Sequence, residues 1–179
     1  MVYVFLADGF EEVEALTPID MLRRVGVEVV TAGVGKIDII GAHDITVKAD
    51  ILASDVALEA AEMIVLPGGW PGTPNLQANA DVQKAIDTMV ISGGYIAAIC
   101  AAPMILGEKG LLKGRKATCF SGFEDKLIGA DVTGEPVCVD GNIITARSAG
   151  VALDFAFELV RVLKDEQTVS SLKEKLLCR

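Results

Sequence analysis

The chain has 179 residues and a formal net charge of −9, from 16 Lys and Arg against 25 Asp and Glu. This length predicts a single domain over residues 1–179 with a sizeable core, and the acidic balance argues against nucleic acid or an anionic membrane surface as the main partner. The one histidine excludes a metal site built from several histidines.

Short runs rich in Val and Ile alternate along the chain with longer amphipathic segments. The predicted buried strands are Val2–Ala7, Val27–Ala32, Met63–Leu66, Tyr95–Ile99 and Ile143–Ala146. The predicted helices are Glu11–Val25, Ala80–Ser92, Ala101–Lys109 and Ala149–Lys164. This alternation predicts an α/β fold with a mostly parallel sheet and helices on both faces.

Three further segments have distinct patterns. Pro18 lies inside the first predicted helix and should kink it or restart it, with Thr17 as the cap. Apolar and polar residues alternate over Ile45–Ile51, which predicts a half-exposed hairpin or an edge strand. Residues 168–179 have the pattern of a short final helix.

Carboxylates follow the first predicted strand. Glu11 and Glu14 are three residues apart and share a helix face, whereas Glu12 points elsewhere. Their simplest role is to complement the helix dipole in its first turn. If one of them faced a cysteine nucleophile, burial and charge repulsion would raise its pKa, and the protonated carboxyl would serve as an acid or base.

Pro67 and two adjacent glycines, Gly68 and Gly69, follow the third predicted strand. Glycines in this position bring backbone N–H groups close to a substrate oxygen, as an oxyanion hole requires. The alternative is a tight loop in which Trp70 is a lid or a packing residue. The segment is not a P-loop, because no Gly-Lys-Ser/Thr follows it.

The fourth predicted strand runs directly into Cys100, and two alanines and Pro103 follow. A side chain on a tight turn between a strand and a helix has the layout of a nucleophile elbow. The N-terminus of the helix would lower the pKa of the thiol and favour the thiolate. The alternative is that Cys100 is a small buried core residue.

The remaining candidates for chemistry have simpler interpretations. His43 follows a turn, and we expect it to be a surface residue or a hydrogen-bonded residue without a part in the chemistry. Cys119 and Cys138 lie in apolar, strand-like runs, and Cys178 is next to the terminus, where we expect it to be exposed. The spacing of the cysteines excludes zinc-ribbon and thioredoxin-type sites. Because no signal segment or bilayer-spanning stretch is visible, we expect reduced thiols and a cytoplasmic protein.

The three strand ends together resemble the ThiJ/PfpI superfamily, and within it the branch of the parkinsonism-associated protein deglycase. The resemblance extends over nearly the whole chain. It is carried by four motifs, which are Ala-Asp-Gly-Phe-Glu-Glu-Val-Glu14, Val-Leu-Pro-Gly-Gly69, Ala-Ala-Ile-Cys100-Ala-Ala-Pro103 and Thr-Ala-Arg147-Ser-Ala-Gly150. The first three, in this order and at these separations, are a specific signal.

The resemblance implies a flavodoxin-like three-layer sandwich with Cys100 as the nucleophile on its elbow. It also implies a protonated glutamate at Glu14 and oxyanion donors on the backbone of Gly69 and Ala101. No cofactor and no metal are implied. A homodimer is implied as well, in which His43, in the place of a family arginine, would line the partner's pocket.

Departures from the wider family narrow the expected chemistry. The peptidase-like branch has a histidine directly after the cysteine, where this chain has Ala101. Glutaminases with the same elbow need a His-x-Glu downstream, but no histidine follows His43. The parkinsonism branch often has a histidine near the pocket where Phe120 stands here. The histidine that would act as the general base of an amidase or a peptidase is therefore missing, which disfavours these two functions.

The resulting hypothesis is a cofactor-independent cysteine enzyme that acts on reactive dicarbonyls and on their adducts with amines or thiols. In this glyoxalase or deglycase chemistry, methylglyoxal would become lactate through Cys100 and Glu14. The alternative from another class is an oxidative-stress sensor or chaperone that acts through oxidation of Cys100.

Overall fold

Eleven strands and six helices are formed within residues 1–178, the part of the chain that the computed structural model describes. The strands are β1 Val2–Leu6, β2 Val29–Gly33, β3 Asp38–Ile40, β4 Thr46–Lys48, β5 Ile51–Leu52, β6 Met63–Leu66, β7 Tyr95–Ile99, β8 Lys116–Ala117, β9 Asp131–Val132, β10 Val137–Asp140 and β11 Ile143–Ala146. The helices are α1 Glu12–Arg24, α2 Gly72–Ala78, α3 Ala80–Ser92, α4 Pro103–Glu108, α5 Ala152–Leu163 and α6 Glu166–Lys175.

Seven strands form one sheet in the order β10-β11-β7-β6-β1-β2-β5. All neighbours in it are parallel except β10 and β11, which form an antiparallel hairpin at one edge. The sheet order places β6, β7 and β1 near the centre, so the loops that follow them meet at one edge of the sheet. Ligands of parallel α/β sheets bind at this carboxyl edge.

Helices cover both faces of the sheet. Successive side chains of each strand point to opposite faces, so apolar side chains need a covering layer on each side. On β1, Val4 and Leu6 pack with α1, α5 and α6, whereas Tyr3 and Phe5 pack with α2, α3 and α4. The two apolar cores on either side of the sheet make a flavodoxin-like α/β sandwich of three layers. The predicted fold class is confirmed.

Most predicted elements are present. The bounds of β6, β7, β11 and α3 are those that the sequence predicts. The segment Ile45–Ile51 contributes β4, which pairs with β3 in an antiparallel hairpin, and then leads into the edge strand β5. The final helix is α6, which begins two residues before the predicted start, and Arg179 lies outside the described residues.

Of the two effects that the sequence predicts for Pro18, a kink or a restart of the first helix, the restart is wrong. Helix α1 runs without interruption from Glu12 to Arg24 with Pro18 inside it. An interior proline costs about 3 kcal/mol. The fully or almost fully buried side chains of Ile19 and Leu22 offset this cost, since each contributes about 1.5–3 kcal/mol.

Within residues 1–178, no helix is both long enough and apolar enough to cross a membrane.

Candidate active site

Cys100 stands on a strained turn between β7 and α4. Its backbone has a φ of +64°, which is uncommon for a residue other than glycine. Main-chain hydrogen bonds hold it on two sides: its N–H donates to the carbonyl of Ala146 at 2.9 Å, and its carbonyl accepts from the N–H of Phe120 at 2.8 Å. Pro103 occupies the first position of α4. The backbone at Cys100 therefore has the layout that was predicted for a nucleophile elbow, and the role of the thiol stays a prediction.

Glu14 lies in the first turn of α1 and is fully buried. Its Oε2 accepts a hydrogen bond from the N–H of Gly68 at 3.0 Å, and its Oε1 has no hydrogen-bond partner within the described chain. Burial, which disfavours the charged form, raises the pKa of Glu14 to about 7, although the neighbouring Cys100 thiol and the Gly68 N–H act in the opposite direction. A proton on this carboxyl is therefore available near neutral pH.

The pKa of Cys100 is raised to about 12, first by burial and then by the negative charge of Glu14. The backbone N–H groups of Ala101 and Gly69 lower it, but by less. The helix N-terminus is predicted to lower the pKa of Cys100, but burial and the charge of Glu14 outweigh this effect. Because the negative charge of Glu14 raises the pKa of the Cys100 thiol, ionisation of one of the two groups disfavours ionisation of the other. At neutral pH the two groups hold at most one negative charge between them.

Two glycines allow the site to close around this pair. A Cβ atom on Gly68 would lie 2.6 Å from the Cβ of Cys100 and 2.7 Å from Oε2 of Glu14. Gly69 has a φ of +95°, and a Cβ there would lie 2.4 Å from the carbonyl oxygen of Gly9. The structure thus brings together Glu14, Gly68, Gly69, Cys100 and Ala101, which are five of the six predicted site residues.

A pocket of about 180 Å³ opens beside the cysteine and contains three aromatic rings. It is lined by Gly69, Trp70, Cys100, Ala101, Phe120 and Phe123. The ring centroids of Trp70 and Phe123 are 6.1 Å apart, and those of Phe120 and Phe123 are 6.4 Å apart with the rings edge to face. The contribution of Phe123 to this pocket was missed by sequence reasoning. Phe123 is three residues after Phe120, whose N–H binds the Cys100 carbonyl. Only the fold shows that this spacing places Phe123 at the pocket.

His43, the sixth predicted site residue, lies on the connection between β3 and β4 and binds Glu12. Its Nδ1 is 2.8 Å from Oε2 of Glu12, and its backbone N–H donates to Oε1 of the same carboxylate at 2.8 Å. The contact with Glu12 raises the pKa of His43. Within one chain, His43 does not line the pocket beside Cys100. A role across a dimer interface stays a prediction.

Glu11, Glu12 and His43 form one cluster in the described chain that has the residue types of a metal site. One ligand atom from each of the three lies within 4.8 Å of the others. His43 and Glu12 already bind each other, however, so the cluster is accounted for as a hydrogen-bonded group between α1 and the hairpin.

The other three cysteines are also free thiols. Cys119 and Cys138 are buried, as the sequence predicts, and burial raises the pKa of Cys119 to about 11. Cys178 is half-buried, whereas the sequence predicts exposure. It packs against the apolar core that contains α5 and α6.

Comparison with known proteins identifies the family. The model of the DJ-1/PfpI family matches residues 1–162. The Arabidopsis thaliana protein named Protein DJ-1 homolog B is 35% identical over 181 residues, and the match covers 99% of this chain but 41% of the plant protein. This chain therefore spans less than half the length of that relative.

Two other relatives match along nearly their whole length. Deglycase PfpI from Pyrococcus furiosus is 35% identical over 160 residues, which cover 88% of this chain and 96% of that protein. The solved structure described as oxidized Toxoplasma gondii DJ-1 superposes with a TM-score of 0.94 at 35% identity, covering 98% of this chain and 97% of the other. Since the family model spans most of the chain and these relatives share both sequence and fold, the chain belongs to the DJ-1/PfpI family.

Proposed function

We propose that this chain is a cofactor-independent cysteine enzyme that acts on reactive dicarbonyls and on their early adducts with amines or thiols, and that it converts methylglyoxal to lactate. The observation that carries the proposal is the position of Glu14, which is fully buried beside Cys100 with its pKa raised to about 7. A carboxyl with this pKa both takes and returns a proton at neutral pH. The name of the Pyrococcus furiosus relative, a deglycase, supports the same class of reaction.

The first step forms a bond between Sγ of Cys100 and the aldehyde carbon of the substrate. As the sulfur attacks, Glu14 takes the thiol proton, and the carbonyl electron pair moves onto oxygen. The N–H groups of Gly69 and Ala101, which face the sulfur, stabilise this oxyanion. Return of the proton from Glu14 to the oxygen gives a neutral hemithioacetal and restores the carboxylate.

The second step moves hydrogen between the two substrate carbons. The Glu14 carboxylate removes the proton from the former aldehyde carbon, and the electron pair forms an enediolate whose negative charge lies on the oxygen of the neighbouring carbon. Glu14 then returns this proton to the neighbouring carbon, while the hydroxyl proton on the former aldehyde carbon passes to the neighbouring oxygen. A thioester of lactate is left on Cys100. One carbon is oxidised and the other is reduced, so no external oxidant is needed. Water cleaves the thioester and releases lactate and the free thiol.

The test of the proposed function is lactate formation from methylglyoxal by the purified protein without added thiol or cofactor. We expect lactate in a one-to-one ratio with the methylglyoxal consumed. Deuterium on the aldehyde carbon should slow single-turnover formation of lactate if removal of that proton limits the rate. An acid quench during the reaction should trap the substrate's mass on the peptide that contains Cys100. Absence of lactate under these conditions would refute the proposal.

A second candidate function is redox sensing through Cys100, and one observation favours it. The similar structure from Toxoplasma gondii is described as oxidized. In this chain, the N–H groups of Gly69 and Ala101 would bind oxygen atoms added to the sulfur, and a protonated Glu14 would donate to them. Selective oxidation of Cys100 by mild peroxide, in a protein that forms no lactate, would favour the sensor over the enzyme.

The close approach at Gly68 predicts a sharp effect of one added methyl group. Gly68→Ala should lower kcat/KM for methylglyoxal by at least about a hundredfold, because the methyl group would displace Cys100 and Glu14 from each other. The matched control is Gly150→Ala, since a Cβ at Gly150 meets only Oγ of Ser148 at 3.9 Å. Equal activity of the two variants, both folded by circular dichroism, would contradict the geometry described for the site.

A further inference from the structure

The three rings beside Cys100 form an apolar surface around a reactive atom. Trp70 is 61% exposed and Phe120 is 45% exposed, so both rings are open to solvent in the chain, whereas Phe123 is half-buried behind them. Exposed aromatic rings grouped around a pocket are unusual unless they bind something, because their burial from water is favourable. These rings belong to the same pocket as the sulfur. A molecule bound to Cys100 therefore lies beside them.

The volume and chemistry of the pocket limit what fits there. Its volume is about 180 Å³, and a protein cavity of about 150 Å³ is sufficient for benzene. No charged side chain lines it. The charge nearest to the sulfur belongs to Glu14, which repels anions when it is ionised. The pocket therefore fits a flat, uncharged substituent better than a phosphate or carboxylate group.

We propose that Trp70, Phe120 and Phe123 form an aryl-binding specificity pocket, which selects dicarbonyls with an aromatic or flat apolar substituent over those with a methyl group. The inference rests on the proposed function, because it names the substrate class of the same site. When Sγ of Cys100 binds the aldehyde carbon, the substituent on the neighbouring carbon enters the pocket. There it packs edge to face or offset against the rings, as aromatic pairs prefer.

The test compares phenylglyoxal with methylglyoxal as substrates. The measured quantity is the ratio of their kcat/KM values, in the wild type and in the variants Trp70→Ala and Phe120→Ala. Each variant should lower this ratio about five- to tenfold through the lost contact between the ring and the phenyl group. Comparing ratios removes the difference in intrinsic reactivity between the two aldehydes.

The matched control is Ile91→Ala, which truncates an apolar side chain that is 87% exposed on α3 and outside the pocket. It should leave the ratio at the wild-type value. Because Trp70 and Phe120 are also exposed, their truncation should leave the fold intact, and circular dichroism checks this. An unchanged ratio in both folded pocket variants would overturn the specificity pocket while leaving the proposed function standing.

A second measurement does not depend on turnover. Alkylation of Cys100 by 2-bromoacetophenone and by bromoacetone, which differ by phenyl against methyl, is followed on the Cys100 peptide by mass spectrometry. Each rate is divided by the rate with a free small thiol. A phenyl preference of about tenfold in the wild type, reduced in Trp70→Ala and Phe120→Ala, would support the pocket even if neither dicarbonyl were turned over. Equal normalised rates in the wild type would refute it.

Discussion

Replacing Cys100 with serine should lower the rate of lactate formation from methylglyoxal by at least about a thousandfold, because the hydroxyl group is a far weaker nucleophile at neutral pH. Serine is nearly isosteric with cysteine and keeps both main-chain hydrogen bonds of the elbow, which the backbone makes. The measurement is lactate produced per enzyme, together with the trapped adduct, which should be missing from the peptide of Cys100→Ser.

The control for this change is Cys178→Ser, at a half-buried thiol near the C-terminus. It should keep wild-type turnover, and so should exclude a general sensitivity to loss of a thiol. If Cys100→Ser formed lactate at the wild-type rate, covalent catalysis by this residue would be excluded. The conversion would then have to proceed by proton transfer alone.

Replacing Glu14 with glutamine should lower kcat/KM for methylglyoxal by at least about a hundredfold, because the amide cannot take a proton. Wild-type kcat/KM should rise with pH and level off above about pH 7, where Glu14 of the free enzyme is ionised. In Glu14→Gln the residual rate should lack this step. The amide oxygen still accepts the N–H of Gly68, so the hydrogen bond on that side is preserved.

The stability of Glu14→Gln separates a loss of chemistry from a loss of fold. Because the pKa of Glu14 is raised in the folded state, the wild type gains stability from it below about pH 4.5 and loses that gain as the pH rises through about 7. Relative to Glu14→Gln, the free energy of unfolding of the wild type should therefore fall by up to about 3 kcal/mol over this interval. Urea unfolding at a series of pH values measures it. A variant that is inactive and also less stable than the wild type above pH 7 would contradict this account.

The central strands were predictable because their patterns are local. The strands β6, β7 and β11 are almost entirely apolar runs, which are followed by Pro67, Cys100 and Arg147, and nothing in the sequence competes with a buried strand there. The sequence analysis predicts no strand at β10, although Asp140-Gly141-Asn142 lies between two apolar runs and is a signal for the hairpin that β10 forms with β11. The restart at Pro18 was wrong because a local rule on proline takes no account of the packing of α1 on its neighbours.

The candidate site was predictable in its residues but not in its energetics. The spacing of motifs places Glu14, Gly69 and Cys100 at strand ends, where topology alone brings them together. The net direction of the pKa shift of Cys100 depends on how far burial and Glu14 outweigh the N–H donors, and sequence gives no distances for that balance. The sequence likewise does not predict that Glu12 binds His43, since this contact joins α1 to the connection between β3 and β4, and only the fold sets their relative positions.

The hydrogen bond between the N–H of Phe120 and the carbonyl of Cys100 ties one wall of the ring pocket to the main chain of the elbow. A displacement of the Phe120 backbone that widened the pocket would release Cys100 from that side. A motion that admitted larger ligands in this way would therefore also loosen Cys100. Substitutions in the loop that contains Phe120 would therefore change the ligand selectivity of the pocket and the position of the Cys100 thiol together, so neither property could evolve independently of the other.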